Sequence, residues 1–271
     1  MLALIQIIVS ILLTVLYGVK TVASFSILNI AGIILVFLIA NILTTLALLI
    51  IFVIFIYATE KIDSRKVWKR RIINLYSHYL FRFYYRAKLI VTGKENLPKN
   101  NNFVMYANHI EYTDPIYIMQ AYKDFAMGFI SKDPLFKYLV LKNLMYGIGC
   151  IPLTRFVDRS ALETILKAIK RVKMGQPMGI FPESKRTYSN DLIEFKPGSF
   201  KLAQKSKADI SPVCLYNMHD LSKKFRILPT KIYLHILPVV KYEDYKELDT
   251  VELSKKVYTV INSQMDIYKN S

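Results

Sequence analysis

Three observations predict an α/β fold, with a mainly parallel sheet flanked by helices and an N-terminal membrane helical hairpin. From about residue 88, short apolar strands alternate with amphipathic helices, the pattern of a parallel sheet wound with helices. Residues 1–59 carry a single charged side chain, Lys20. Polar clusters recur where the predicted strands end, which is where α/β proteins usually place chemistry. The expected organisation is a membrane-embedded segment over 1–59, a basic amphipathic interfacial helix over 60–87, and a cytosolic α/β domain over 88–271.

The first elements are two apolar runs, 1–19 and 26–57. As helices they would be roughly 28 Å and 48 Å long at about 1.5 Å per residue, against a bilayer core of about 30 Å. The link from Tyr17 to Ser26 is short enough for a hairpin. Asn41, Thr44 and Thr45 interrupt the second run and are expected to face a helix partner. A secretory signal over 1–24 is the competing reading, but that stretch lacks a basic start and a second long apolar run follows it.

Next comes EKIDSRKVWKRR, residues 60–71, with six basic and two acidic side chains. A basic cluster directly after an apolar segment places that side in the cytosol, and it would attract anionic lipid. Trp68 and tyrosines 76, 79, 84 and 85 suit an interface because their rings are amphipathic. A partly core-packed helix over 64–87 is compatible with the same pattern. The whole chain has 37 basic and 20 acidic residues, a net charge of +17. Its partner surface is therefore expected to be anionic. A nucleic-acid partner is disfavoured, because a membrane segment is present and no nucleic-acid motif is. The two cysteines, Cys150 and Cys214, are far apart and lack metal spacing, which suits reduced core filler in an intracellular compartment.

The α/β region is expected to hold strands at 88–93, 102–107, within 124–132, and at 149–154. Helices are expected at 133–145 and 160–174. The second of these would open on a Ser160–Glu163 capping box and present Leu162, Ile165, Leu166, Ile169 and Val172 on one face. A short buried strand at 177–181, a helix near 198–206, and strands at 209–217 and 230–240 complete the sheet. A last helix, 250–268, takes Asp249 and Glu252 as its start signal.

Four polar clusters punctuate these elements. The first is His109 with Asp114, directly after strand 102–107. Five residues on a regular helix turn about 500°, which would leave the two side chains about 140° apart. In a turn leading into a helix, Asp114 can fold back to the imidazole, fix its tautomer and stabilise the imidazolium. That pair would serve as a general base for a hydroxyl nucleophile; a turn in which Asp114 merely caps a helix is the plain alternative. The second cluster places Arg155 after strand 149–154, where a guanidinium suits a phosphate. The third places Glu183, Lys185 and Arg186 after strand 177–181, as a candidate site for a glycerol hydroxyl and a phosphate. The fourth, FKPGSFKLA at 195–203 with ISPV at 210–213, offers Lys196 and a helix start near Gly198 to an anion.

In order and spacing the four together resemble the glycerolipid acyltransferase superfamily over roughly 90–215. The first motif of that superfamily matches Asn108, His109 and Asp114; the second matches Gly149, Ile151 and Arg155. The third, usually Phe-Pro-Glu-Gly-Thr-Arg, matches Phe181, Pro182, Glu183 and Arg186, and the fourth matches Ile210, Pro212 and Val213. One departure matters: Ser184 and Lys185 stand where glycine and threonine are usual, which bears on acceptor preference. The resemblance implies a membrane-bound enzyme of the lysophosphatidic acid acyltransferase type. It would move a fatty acyl group from an acyl-coenzyme A or acyl–acyl carrier protein thioester to the sn-2 hydroxyl of lysophosphatidic acid, with no cofactor and no metal. His109 would be the base and Asp114 its orienter; Arg155, Glu183 and Arg186, with Lys185 and Lys196, would hold the acceptor's glycerol phosphate.

Three other readings compete. The acceptor is glycerol 3-phosphate or another lysolipid; or the chain is a non-catalytic, membrane-tethered binder of anionic lipid; or it is a metal-dependent hydrolase. Against the last, His78, His219 and His235 show no ligand-like spacing with His109.

Overall fold

The computed structural model describes residues 1–21, 26–153, 158–222 and 228–270, with backbone alone at Thr21, Asp133 and 158–161. It divides into two compact units, Met1–Thr59 and Glu60–Ser271.

The first unit is two helices, α1 (Leu2–Thr21) and α2 (Ile27–Ala58), both long and apolar enough to cross a membrane. Ser26 caps α2, its hydroxyl accepting from the Asn29 amide. The helices pack antiparallel. Gln6, near the start of α1, donates to Asn41 Oδ1 at 3.2 Å and Thr45 Oγ1 at 2.9 Å, while Tyr17, near its end, packs on Gly32. Asn41 and Thr45 therefore face a helix partner as expected, where a polar pair has no water to bind instead. Thr44 turns back to the carbonyl of Ala40 on its own helix.

The second unit opens with α3 (Val67–Phe83), followed by β1 (Ala87–Thr92), β2 (Phe103–Ala107), α4 (Asp114–Ala121) and β3 (Gly128–Lys132). Then come α5 (Leu139–Gly147), β4 (Ile151–Leu153), α6 (Asp158–Lys173), β5 (Met178–Ile180), α7 (Lys201–Ser206), β6 (Asp209–Tyr216), β7 (Thr230–Ile236) and α8 (Thr250–Lys269). The seven strands form one sheet in the order β1-β7-β6-β2-β5-β3-β4. All neighbours are parallel except β6 and β7, which are antiparallel. β2 lies at the centre and is wholly buried, between β5 in register Tyr106↔Ile180 and β6 in register Tyr106↔Pro212.

On one face, α8 lays Leu253, Val257, Ile261 and Met265 into the main core with Tyr106, Phe195 and Phe200. Its four-residue spacing keeps those side chains on one stripe. The Asp249–Glu252 capping box at its start is formed as predicted. The rings of Tyr106 and Phe200 lie 4.3 Å apart and 4° from parallel. Cys150 and Cys214 are free and buried, and burial pushes their thiols up to about 11 and about 12.

Several elements differ from the sequence expectation. The predicted helix 133–145 is a 3₁₀ turn, Asp133–Lys137, separated from α5 by the extended backbone of Tyr138. The helix expected from Ser160 includes Asp158 and Arg159, so the Ser160 backbone lies inside α6, and the expected Ser160 cap falls outside the described side chains. The inward face of α6 carries Thr164, Ala168 and Val172, while Leu162 and Leu166 remain exposed. β7 stops at Ile236, before Pro238, which has no amide hydrogen for a ladder.

The basic cluster at 60–71 also changes character. Of its six cations, Lys69 and Arg70 are buried. The Arg70 guanidinium donates to the carbonyls of Met127 and Ile148 and contacts the Met119 sulfur, so it pins α3 to the sheet rather than to lipid. Burial lowers it to about 10. Tyr76 and Tyr79 are buried too, whereas Trp68, Tyr84 and Tyr85 are exposed.

Candidate active site

The site lies at the carboxyl ends of the adjacent parallel strands β2 and β5. Their register brings the turn after Ala107 beside the loop after Ile180. Asn108 anchors the first turn. Its side-chain amide donates to the carbonyl of Leu215 at 2.9 Å, and its Oδ1 accepts from the Leu215 amide at 2.8 Å. A side chain thus extends the backbone ladder onto β6 where β2 ends.

His109 and Asp114 meet. Nδ1 of His109 lies 2.9 Å from Oδ2 of Asp114, which is fully buried. That same oxygen accepts from the amides of Ile110 at 2.7 Å and Glu111 at 2.9 Å. Residues 109–113 are therefore a turn wrapped around the carboxylate, and α4 begins at Asp114 itself. The plain capping alternative is inadequate, because the carboxylate reaches back to the imidazole as well as to the turn. Burial pushes the Asp114 carboxyl up, opposed by the His109 imidazole and the two amides. With Asp114 ionised, its oxygen can only accept, so Nδ1 would carry the ring proton and Nε2 would offer its lone pair. The His109 side chain is 17% exposed, against 0% for Asp114.

Phe181, directly after β5, stacks on the imidazole, centroids 4.0 Å apart and 18° from parallel. Phe129 extends the stack at 6.3 Å from Phe181. Phe181 stands in the third sequence motif, but neither its ring's role nor that of Asn108 was assigned from sequence. Both depend on which strands are neighbours.

Glu183 is 1% exposed. Its two oxygens accept from the amides of His109 at 2.8 Å and Ile193 at 3.2 Å. The Glu183 carboxylate, expected to meet a glycerol hydroxyl, ties the two loops together through backbone. Burial is the main cause that raises it to about 7, with Asp114 adding repulsion and the two amides opposing. Further ties run from the Thr187 amide to the His109 carbonyl at 2.9 Å and from the Tyr188 amide to the Ile110 carbonyl at 3.2 Å.

Arg186 is brought to the same place. Its guanidinium carbon lies 3.3 Å from the centroid of the Tyr112 ring, in the His109 turn, and 5.6 Å from that of Tyr188. Its Nε has no hydrogen-bond partner among the described residues. Lys185 and Lys196 are exposed in the same loop system, and the Lys196 amide is held by the carbonyl of Pro182 at 2.9 Å. Arg155 lies outside the described residues. Ser184 has φ +63°, in the left-handed region where glycine is at ease.

Comparisons with known proteins bear on the family and the fold. Residues 88–216 match the family model described as Acyltransferase. A 1-acyl-sn-glycerol-3-phosphate acyltransferase from Borreliella burgdorferi is 32% identical over 186 residues, covering 67% of this chain and 73% of that protein. One from Saccharomyces cerevisiae is 30% identical, covering 65% of this chain and 61% of that protein. The crystal structure of the 1-acyl-sn-glycerophosphate (LPA) acyltransferase PlsC from Thermotoga maritima superposes with a TM-score of 0.67 at 24% identity. It covers 80% of this chain and 88% of that one, and so shares the fold. A relative 32% identical to this chain and covered over 73% of its own length, together with the matching family model, makes the chain a member of the 1-acyl-sn-glycerol-3-phosphate acyltransferase family.

Proposed function

We propose that this chain transfers a fatty acyl group from an acyl thioester to the sn-2 hydroxyl of lysophosphatidic acid, giving phosphatidic acid for phospholipid synthesis. The observation that carries the reading is the 2.9 Å bond between His109 Nδ1 and the buried Asp114, together with the relatives' activity. Nε2 of His109 takes the proton of the acceptor hydroxyl as its oxygen attacks the thioester carbonyl. The new C–O bond forms, the C–S bond breaks, and the departing thiolate recovers the proton from the imidazolium. Asp114 stabilises that imidazolium, and no acyl-enzyme intermediate is required.

Arg186, with Arg155, Lys185 and Lys196, would neutralise the acceptor phosphate. Glu183 is a positioning residue in this scheme, since both its oxygens serve backbone amides. The thioester donor would be acyl-coenzyme A or acyl–acyl carrier protein. Both are anionic, which suits a net charge of +17. The reaction balances with these two substrates and needs no cofactor. The bilayer is the natural site, because acceptor and product are amphiphiles, and the basic run after α2 favours a cytoplasmic face for the catalytic unit.

The test is full-length protein in mixed micelles with labelled acyl-coenzyme A or acyl–acyl carrier protein, and a panel of lysophosphatidic acid, glycerol 3-phosphate and other lysolipids. Labelled phosphatidic acid from lysophosphatidic acid, lost in His109→Ala, is expected. Transfer to a different acceptor alone would refute the acceptor, and equal turnover in the variant would refute the base.

A further inference from the structure

A cavity of about 690 Å³ opens between α3, α4 and β1, within the second unit. None of its lining residues belongs to the His109 site. Its volume is in the range of a small-molecule site. Arg82, Lys88 and Lys123 line it, each without an ion-pair partner among the described residues. A fourth cation, Arg71, bonds the single lining carboxylate, Asp124, at 2.9 Å. Beneath this charge the walls are apolar, formed by Leu75, Phe81 and Tyr117 among others.

Oδ1 of Asn74 and Nε2 of Gln120, buried polar atoms of lining residues, have no hydrogen-bond partner among the described residues. The first is an acceptor, in a residue that is 8% exposed and whose Nδ2 is already used on the Met119 carbonyl. The second is a donor. Buried polar atoms are ordinarily satisfied, so an unmatched donor and acceptor in one cavity call for a partner with both functions.

We propose that this cavity binds an anionic phospholipid, separate from the acceptor. The cations meet the phosphate, Asn74 and Gln120 meet polar groups of the head and glycerol, and the Phe81–Tyr117 wall takes the upper acyl chains. A free phosphate shares the charge chemistry but leaves that wall unused.

Native mass spectrometry of the full-length protein in detergent tests this with dihexanoylphosphatidylglycerol, dihexanoylphosphatidylcholine and inorganic phosphate as probes. One phosphatidylglycerol per chain is expected, with phosphatidylcholine and phosphate far weaker. Arg82→Glu with Lys88→Glu should cut its occupancy by about tenfold or more. The same charge change at Lys255 and Lys256 on α8 should leave it intact. Should the double variant fail to fold, Gln120→Leu, which removes only the unmatched donor, should lower occupancy by itself. Arg186→Ala should have no effect, and its loss of binding would merge this cavity with the acceptor site. Equal loss in the α8 variant, equal binding of phosphatidylcholine, or displacement by equimolar phosphate would each overturn the assignment. Because the readout is binding, it is independent of whether acyl transfer is observed.

Discussion

The Phe181 ring lies flat against the His109 imidazole, 4.0 Å away at 18°. One residue follows the end of β5 and the other follows the end of β2, so the pairing of the two strands sets the face of the imidazole. Asp114 holds one edge of the imidazole and Phe181 holds its plane. Nε2 then has one direction left.

Phe181→Leu keeps the volume apolar but removes the flat wall. Aromatic pairs are worth about 0.5–1.5 kcal/mol beyond area, so kcat should fall roughly two- to tenfold with little change in KM. A variant with parental kcat would show that Asp114 alone orients the ring.

Asp114→Asn preserves shape but puts an amide where three N–H groups converge on one oxygen. Turnover should drop by about 10²–10⁴-fold, and the thermal midpoint should fall as well. Steady-state acyl transfer beside a melting curve in detergent separates the two losses.

Glu183 supplies a pH signature. Its folded value, about 7, lies above the ordinary 4.5. The native state therefore holds the proton more tightly than the unfolded chain, and stability declines as pH rises from about 4.5 to 7. A shift of this size is worth about 3 kcal/mol at most. Thermal midpoints of the parent should decline relative to those of Glu183→Gln across that window; parallel curves would refute the raised carboxyl.

Arg186→Ala should raise the KM for the phosphorylated acceptor by about tenfold or more, as expected for a lost charge-assisted bond to phosphate. Arg186→Lys should recover little of it. A lysine ammonium cannot reproduce the planar stack on Tyr112 or the forked donation. Full rescue by lysine would mean that charge alone matters there.

Ser184→Gly should stabilise the protein. Left-handed backbone costs a non-glycine residue about 1–2 kcal/mol, and glycine gives back about 0.5–1 kcal/mol through the unfolded chain. A net gain of about 0.5–1 kcal/mol is expected in denaturant unfolding. If KM for lysophosphatidic acid changes as well, the strained serine also shapes the acceptor site.

Much of this molecule is written locally. Charge-free runs, strand and helix periods, and the Asp249 capping box depend on neighbours in the chain, so α1, α2, the seven strands and α8 were legible in the sequence. The motif spacing likewise singles out His109, Asp114 and Arg186 as candidates, and the fold brings them together. Tertiary structure alone decided what each polar group faces. It set Glu183 onto two amides, drew Arg70 into the core, chose Phe181 as the partner of the imidazole, and rotated α6 so that Leu162 and Leu166 stay outside. Those outcomes follow from strand order and register, which bring together residues some seventy positions apart, as His109 and Glu183 are. Burial then requires every polar group so enclosed to find a partner, and a one-dimensional pattern does not contain the partner's address.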